Sequence, residues 1–200
     1  MTSLSLVLAS SSRYRRQLLQ KLGVEFIWAS PDIDETPDNH EPPEQLVLRL
    51  AKQKATALAT SFPEHLIIGS DQIATLNNQI IGKPHTHEAA TNQLMSFSGK
   101  EVVFLTSLCL YNSKTLHSQL ALDKYAVKFR QLSEEQIERY LRKEEPYDCA
   151  GSFKSEGMGI CLFEKMAGKD PNTLVGLPLI ELVSMLINEG MDPLGPASKN

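Results

Sequence analysis

The spacing of apolar positions changes twice within the first thirty residues. LSLVLAS (4–10) is a short apolar run ending in small polar residues. RYRRQLLQKL (13–22) then puts Tyr14, Leu18, Leu19 and Leu22 on one helical face before Gly23, and VEFIWAS (24–30) is apolar again. Run, stripe and run predict strand, helix and strand, hence a parallel pair joined by a crossover. PDIDETPDNHEPPE (31–44) has four prolines and no period, so it is a loop. QLVLRLAKQKATALAT (45–60) recovers helical spacing, with Leu46, Leu50 and Ala57 on a common side. HLIIGSDQIATL (65–76) reads as an apolar run that breaks at Gly69-Ser70-Asp71 and resumes, with Asn77-Asn78 turning into QIIGKP.

Further along, residues 87–97 fit a helix, and EVVFLTSLCLYN (101–112) with LALDKYAVKF (120–129) fits a long hairpin. Ser133 with Gln136 three residues on is a capping box. PYDCAGSFKSEG (146–157) is a loop, MGICLFEKM (158–166) reads as a strand, and an amphipathic helix closes the pattern at 179–188. No repeat or linker divides the chain. The expectation is a single α/β domain with a mixed sheet over residues 1–195, followed by a frayed tail at 196–200.

Composition narrows the function. Two hundred residues at 42% hydrophobic suffice for one good core or two closely joined lobes. A net charge of −4 argues against a nucleic-acid binder held by bulk electrostatics, so a cluster of arginines here calls for a small anion. The apolar runs fall far short of the roughly 20 residues of a membrane span, and no basic stretch precedes LSLVLA as in a secretory leader. The expectation is a soluble, cytoplasmic chain with no membrane or nucleic-acid partner. Three widely spaced cysteines fit neither a disulfide framework nor a CxxC site and read as buried thiols; the five histidines form no zinc-like cluster.

The arginines are the first chemical signal. Arg13, Arg15 and Arg16 stand in a helix's first turn, where each cation costs about 0.3–1 kcal/mol against the dipole. Free backbone N–H groups, serine hydroxyls and guanidinium forks converging there make a phosphate site. The plainer alternative is that Ser12 only caps the helix while the arginines reach solvent or the acidic loop. Asp71 after LIIGS would sit at the C-terminal edge of a strand, where open sheets bind ligands and where a carboxylate can act as general base; a turn aspartate is the alternative. Lys83 in GKP lacks the rest of a Walker motif. Lys52 and Lys54 read as solvated helix lysines, and Glu35 and Glu156 as loop carboxylates. The glycine-punctuated GSFKSEGMG (151–159) is of the sort that closes over a ligand.

Taken in order, LASSSxxR, DETP, the lysine of AKQKA, GSDQ, GKP, GSFKSEG and DPNTLVGLPL resemble the Maf family of nucleotide pyrophosphatases along nearly the whole chain. The variants DETP, GSDQ and GSFKSEG are similar to the branch acting on 7-methyl-GTP, the other branch acting on dTTP and UTP. The resemblance implies an elongated mixed β-sheet flanked by helices, with two lobes and a central cleft, the fold shared with inosine triphosphate pyrophosphatases. It implies hydrolysis of a small-molecule nucleoside triphosphate to the monophosphate and pyrophosphate, assisted by a divalent metal, Mg²⁺ or Mn²⁺ before zinc, and a possible homodimer. Residue by residue, it implies that Ser10, Ser12 and Arg15 hold the triphosphate. Glu35, Lys54, Asp71 and Lys83 match the polar catalytic set, with Asp71 as proton acceptor and Glu35 as metal ligand. Tyr14, Gln72 and Glu156 fall where substrate choice is set. SRYRR departs from the family's SPRR or SPWRR, since Arg13 replaces a proline and Tyr14 a tryptophan. Tyr14 could also pack with Leu18 in the core. The rival functions are a dTTP/UTP pyrophosphatase and a non-catalytic nucleotide-binding regulator of cell division.

Overall fold

The opening crossover forms as the pattern requires: Ser5–Ala9 (β1), Arg13–Gln20 (α1) and Phe26–Ala29 (β2) make a parallel pair, Leu6 opposite Phe26 through Ala9 opposite Ala29. The computed structural model describes residues 4–195, so the expected frayed tail at 196–200 lies outside the described residues. There follow Pro43–Ala57 (α2), His65–Leu76 (β3), Gln79–Ile81 (β4), His87–Phe97 (α3), Glu101–Asn112 (β5), His117–Phe129 (β6), Glu134–Glu144 (α4), a 3₁₀ turn at Met158–Leu162, Phe163–Gly168 (β7), Pro171–Val175 (α5) and Leu179–Asn188 (α6). The sheet runs β2-β1-β3-β5-β6-β7, with β4 on β3. It is parallel among the first three strands of that order and antiparallel elsewhere, which is the mixed α/β sheet expected. At about 3.4 Å per residue, the central antiparallel strands span roughly 40 Å, which makes the molecule elongated.

Several local rules hold at particular residues. Asn77 and Asn78 both take positive φ (50° and 66°) in the two-residue turn between β3 and β4, as such a hairpin demands. Ser133 and Gln136 exchange both bonds of the capping box. Other expectations are corrected. β3 does not break at Gly69-Ser70-Asp71, because β5 pairs with it without interruption from Leu66 to Thr75. Residues 158–162 form a 3₁₀ turn before the strand starts at Phe163. On α2 the buried stripe is Leu46, Val47, Leu50, Ala51, Lys54 and Ala55, whereas Ala57 is exposed. Of the three cysteines only Cys109 is buried; Cys149 is half-buried and Cys161 exposed.

The apolar side chains gather at the two ends of the sheet. Around β1 and the first half of β3, α1 and α6 cover one face and α2 the other. Around the far halves of β5 and β6, α3, α4 and the 146–163 segment enclose a core in which Phe104, Phe129, Phe153 and Phe163 meet edge to face. The cleft lies where these two ends meet.

Candidate active site

The site is made by a gap in strand pairing. β1 accompanies β3 only as far as Ile68, and β4 joins the same edge only from Ala74, so among the described residues Gly69 to Ile73 has no strand neighbour on that side. Sequence reasoning placed Asp71 at a strand end. It lies in the middle of β3, but just past the end of β1, so the switch-point logic holds for a different strand. Because side chains alternate along a strand, Asp71 faces α2 and Gln72 the opposite side, toward α5.

On the α2 side lies a buried charge pair. Lys54 Nζ donates to Asp71 Oδ1 at 2.6 Å and contacts Glu35 Oε1 at 2.8 Å. Lys54 is 7% exposed and Asp71 6%, so the expectation of a solvated Lys54 is corrected: it is the counter-ion that makes a buried Asp71 tolerable. Gly69 permits the approach. A Cβ there would stand 2.1 Å from the Ala51 carbonyl oxygen and 2.8 Å from the Ala55 nitrogen, so only glycine lets α2 lie this close to β3. Glu35 is largely exposed and reaches Lys54 because its loop is fastened: Arg49 donates to both carboxylate oxygens of Glu41 at 2.7 Å and to the Thr36 carbonyl at 3.1 Å. Arg49 was missed by sequence reasoning, since nothing local distinguishes it from a surface helix arginine.

On the other side, Ser12 caps α1, its Oγ accepting from the Arg15 N–H at 3.4 Å, while Ser10 Oγ accepts from the Ser12 N–H at 3.2 Å. The three arginines part company. Arg15 Nε donates to the Gly176 carbonyl at 2.8 Å, and burial presses its guanidinium below the ordinary value while the nearby Asp71 and Glu35 charges oppose the shift. Arg16 donates to the Ser11 carbonyl and lies 4.1 Å over the Trp28 ring; Arg13 donates to the Tyr14 hydroxyl and lies 4.8 Å over that ring. Arg13 is exposed to solvent, and among the described residues none of the three forms an ion pair with the acidic loop. Gly176 closes α5 at φ 111°, a left-handed conformation suited to glycine, and so turns its carbonyl toward Arg15 and the Ser70 hydroxyl.

Between α1 and the 146–157 segment opens a cavity of about 160 Å³. It is smaller than the ~300–1,000 Å³ of pockets that enclose a whole drug-sized ligand, so it suits one end of a nucleotide. Of the residues singled out by sequence, Ser12, Tyr14, Arg15, Gln72, Lys83 and Glu156 line it. Ser10, Glu35, Lys54 and Asp71 do not, and lie beyond it along the open edge. Tyr14 therefore leaves the stripe of Leu18 and Leu19 and faces the cavity instead of the core. Lys83 and Glu156 are exposed at the rim. Phe104, Cys149, Phe153 and Lys154 are also in the wall and were not anticipated individually. The 146–157 segment is fastened at its root: Gly151 to Phe153 are buried, Ser152 Oγ donates to Gln93 at 2.5 Å, and the Lys154 ammonium donates to the Glu144 carbonyl. Among the described residues no three His, Cys, Asp or Glu side chains cluster as a metal site; the two carboxylates at the edge that share Lys54 are Glu35 and Asp71. Both are hard oxygen donors, the kind a divalent cation takes when its remaining ligands are phosphate oxygens and water.

A mixed sheet with an open central edge, a capped serine–arginine helix start above it and a buried Lys–Asp pair below defines the class. The chain matches the family model described as Maf-like protein over residues 5–189 and belongs to the Maf family. It is 57% identical over 188 residues to a Pseudomonas putida protein named 7-methyl-GTP pyrophosphatase, a match covering 94% of this chain and 98% of that one. It is 56% identical over 194 residues to a Vibrio parahaemolyticus protein of the same name, covering 97% and 100%. Among solved structures it is similar to a HAM1 protein from Coxiella burnetii, at 18% identity and TM-score 0.49, over 65% of this chain and 75% of that one.

Proposed function

We propose that this chain hydrolyses 7-methyl-GTP to 7-methyl-GMP and pyrophosphate. The observation that carries the reading is the placement of the Glu35–Lys54–Asp71 cluster on one side of the open β3 edge and the cavity holding Tyr14, Gln72 and Glu156 on the other. A nucleotide crossing that edge has its base on one side and its phosphates at the other. The relatives named for this substrate, identical at more than half of all positions over nearly the full chain, support the choice of base. Methylation at N7 leaves guanine with a delocalised positive charge, which an aromatic face and a carboxylate select; Tyr14 and Glu156 supply one of each. A carboxylate also fits guanine's donor edge and repels the carbonyls of uracil or thymine.

In the mechanism, Asp71 Oδ1 is held by Lys54, and its other oxygen has no hydrogen bond among the described residues. That oxygen takes the proton from the attacking water as the O–Pα bond forms and the bond from Pα to the bridging oxygen breaks. Glu35 would hold the divalent ion, which when bound polarises the phosphate under attack. Ser10, Ser12 and Arg15 hold the triphosphate, and Arg15, Lys54 and Lys83 offset charge on the departing pyrophosphate. The substrate belongs to the nucleotide pool, consistent with a cytoplasmic place, and no helix among the described residues is long and apolar enough to cross a membrane. A homodimer is the assembly this reading expects, and its mass in solution tests that.

The test is pyrophosphate release from 7-methyl-GTP, GTP, UTP, dTTP and CTP with Mg²⁺ and Mn²⁺, with Asp71→Asn beside the wild type. Preference for 7-methyl-GTP in the wild type, with release from every substrate lost in a folded Asp71→Asn variant, is the expected result. A pyrimidine preference would keep the mechanism and overturn the base reading. Tight binding without release would leave a nucleotide-binding regulator.

A further inference from the structure

The side of β3 that bears Gln72 continues into a buried chain of polar groups that the reaction itself does not use. Gln72 Nε2 donates to Thr106 Oγ1 at 2.9 Å and to the Thr173 carbonyl at 2.7 Å, and approaches the Leu174 carbonyl at 3.2 Å. Thr106 Oγ1 in turn donates to the Thr173 carbonyl at 2.9 Å, and Thr173 Oγ1 donates to Asp123 Oδ2 at 2.5 Å. Thr106 and Thr173 have no solvent exposure, so these bonds have no water to replace them.

Count the protons. A carboxamide nitrogen has two N–H donors, and here both are directed inward. Were the amide turned over, its oxygen would face two backbone carbonyls, and the Thr106 hydroxyl, already donating to Thr173, would have no proton left for it. Three acceptors in fixed positions therefore permit one orientation. Gln72 lines the cavity, so the group it turns to a ligand is Oε1, an acceptor without a proton.

We infer that Thr106, held through the Thr173 carbonyl to buried Asp123, is a positioning residue for base choice: together with the Thr173 and Leu174 carbonyls it holds the Gln72 carboxamide in place with its oxygen toward the ligand. The inference rests on the proposed purine substrate and adds a second acceptor to Glu156. Guanine's Watson–Crick edge offers N1–H and an exocyclic amine as donors, whereas uracil and thymine offer two carbonyls around one N–H. A freely turning glutamine could serve either base, donating to a pyrimidine carbonyl as readily as it accepts from guanine. A locked acceptor serves guanine and leaves the pyrimidine carbonyls unpaired, which is where a polar site discriminates strongly. Asp123 acts at a distance by fixing the first turn of α5, whose carbonyls hold the amide.

The experiment compares 7-methyl-GTP with UTP by kcat/KM in wild type, Thr106→Val, Thr106→Ser, Gln72→Leu and the Thr106→Val/Gln72→Leu double variant, with circular dichroism and Tm as fold controls. Thr106→Val keeps the shape and removes the hydroxyl. The expected result is a fall of about tenfold in the 7-methyl-GTP over UTP ratio, some 1.4 kcal/mol, seen more in KM than in kcat. Thr106→Ser should restore the ratio, and the double variant should be no less selective than Gln72→Leu alone, because Thr106 acts through Gln72. An equal loss on both substrates, a Thr106→Ser variant that fails to restore the ratio, or additive effects in the double variant would each overturn the inference. If Thr106→Val does not fold, Thr106→Cys, of similar volume and a poor acceptor, takes its place in the cycle. If the wild type releases no pyrophosphate, the proposed function fails, and the same cycle read by calorimetric Kd for the two nucleotides still decides the role of Thr106.

Discussion

Gly69→Ala adds one carbon to the chain and should cost most of the activity. In the native arrangement the new Cβ would stand 2.1 Å from the Ala51 carbonyl oxygen, where an ordinary contact is 3.4 Å or more, and 2.8 Å from the Ala55 nitrogen. Both obstacles are helix backbone and cannot rotate away, so α2 must retreat from β3 by about 1.3 Å if it absorbs the whole overlap. Overpacking of this kind costs about 1–3 kcal/mol. At ~2–4 °C per kcal/mol for a chain of this size, Tm should fall by about 2–12 °C. The retreat carries Lys54 with it. The Nζ to Oδ1 separation of 2.6 Å opens toward about 4 Å, beyond hydrogen-bond reach, and the proton acceptor loses its fixed direction. A misplacement near 1 Å costs about 10²-fold in rate. The assay pairs pyrophosphate release at saturating 7-methyl-GTP with a thermal melt. A variant with the lowered Tm but wild-type kcat would refute the claim that helix approach aligns the pair, and an unchanged Tm would refute the steric reading itself.

Two further outcomes follow from the buried groups. Lys54→Met leaves Asp71 buried without its counter-ion and should lower stability in urea by about 3–5 kcal/mol, whereas Lys54→Met with Asp71→Leu should recover most of that stability without recovering activity; equal stability of the single variant and wild type would sink the account. Burial pushes the Cys109 thiol up to about 12 from its ordinary 9.0. The folded state then keeps a proton that the unfolded chain gives up, so between pH 9 and 12 this group makes stability fall with rising pH by about 1.4 kcal/mol per unit. Cys109→Ala should lower stability by a fixed amount and show a shallower alkaline slope; parallel slopes would contradict the burial.

Short-range chemistry was legible in the sequence. Residues 87–97 and 179–188 are helical as their periodicity requires, the Ser133–Gln136 box and the Asn77-Asn78 turn form as their side chains dictate, and the strand–helix–strand opening is in place. These depend on neighbours within a few residues, so one dimension suffices. The motifs around Ser10, Glu35, Lys54, Asp71, Lys83 and Glu156 could likewise be found as strings. What each residue touches could not be read there. Asp71 reads as a strand end or a turn because Gly69 and Ser70 precede it, yet the Leu66–Thr75 pairing with β5 runs the strand straight through. Lys54 looked solvated because a helix lysine usually is, yet it is buried by a carboxylate 17 residues away and by a glycine that admits the helix. Exposure separated Cys161 from Cys109 although both stand in apolar runs. The lock on Gln72 joins residues from β3, β5, β6 and α5, whose proximity no local pattern encodes. Local propensity and periodicity are properties of adjacent residues. The burial of a charge, the direction of an amide and the gap in a strand's edge depend on what the rest of the chain places against them.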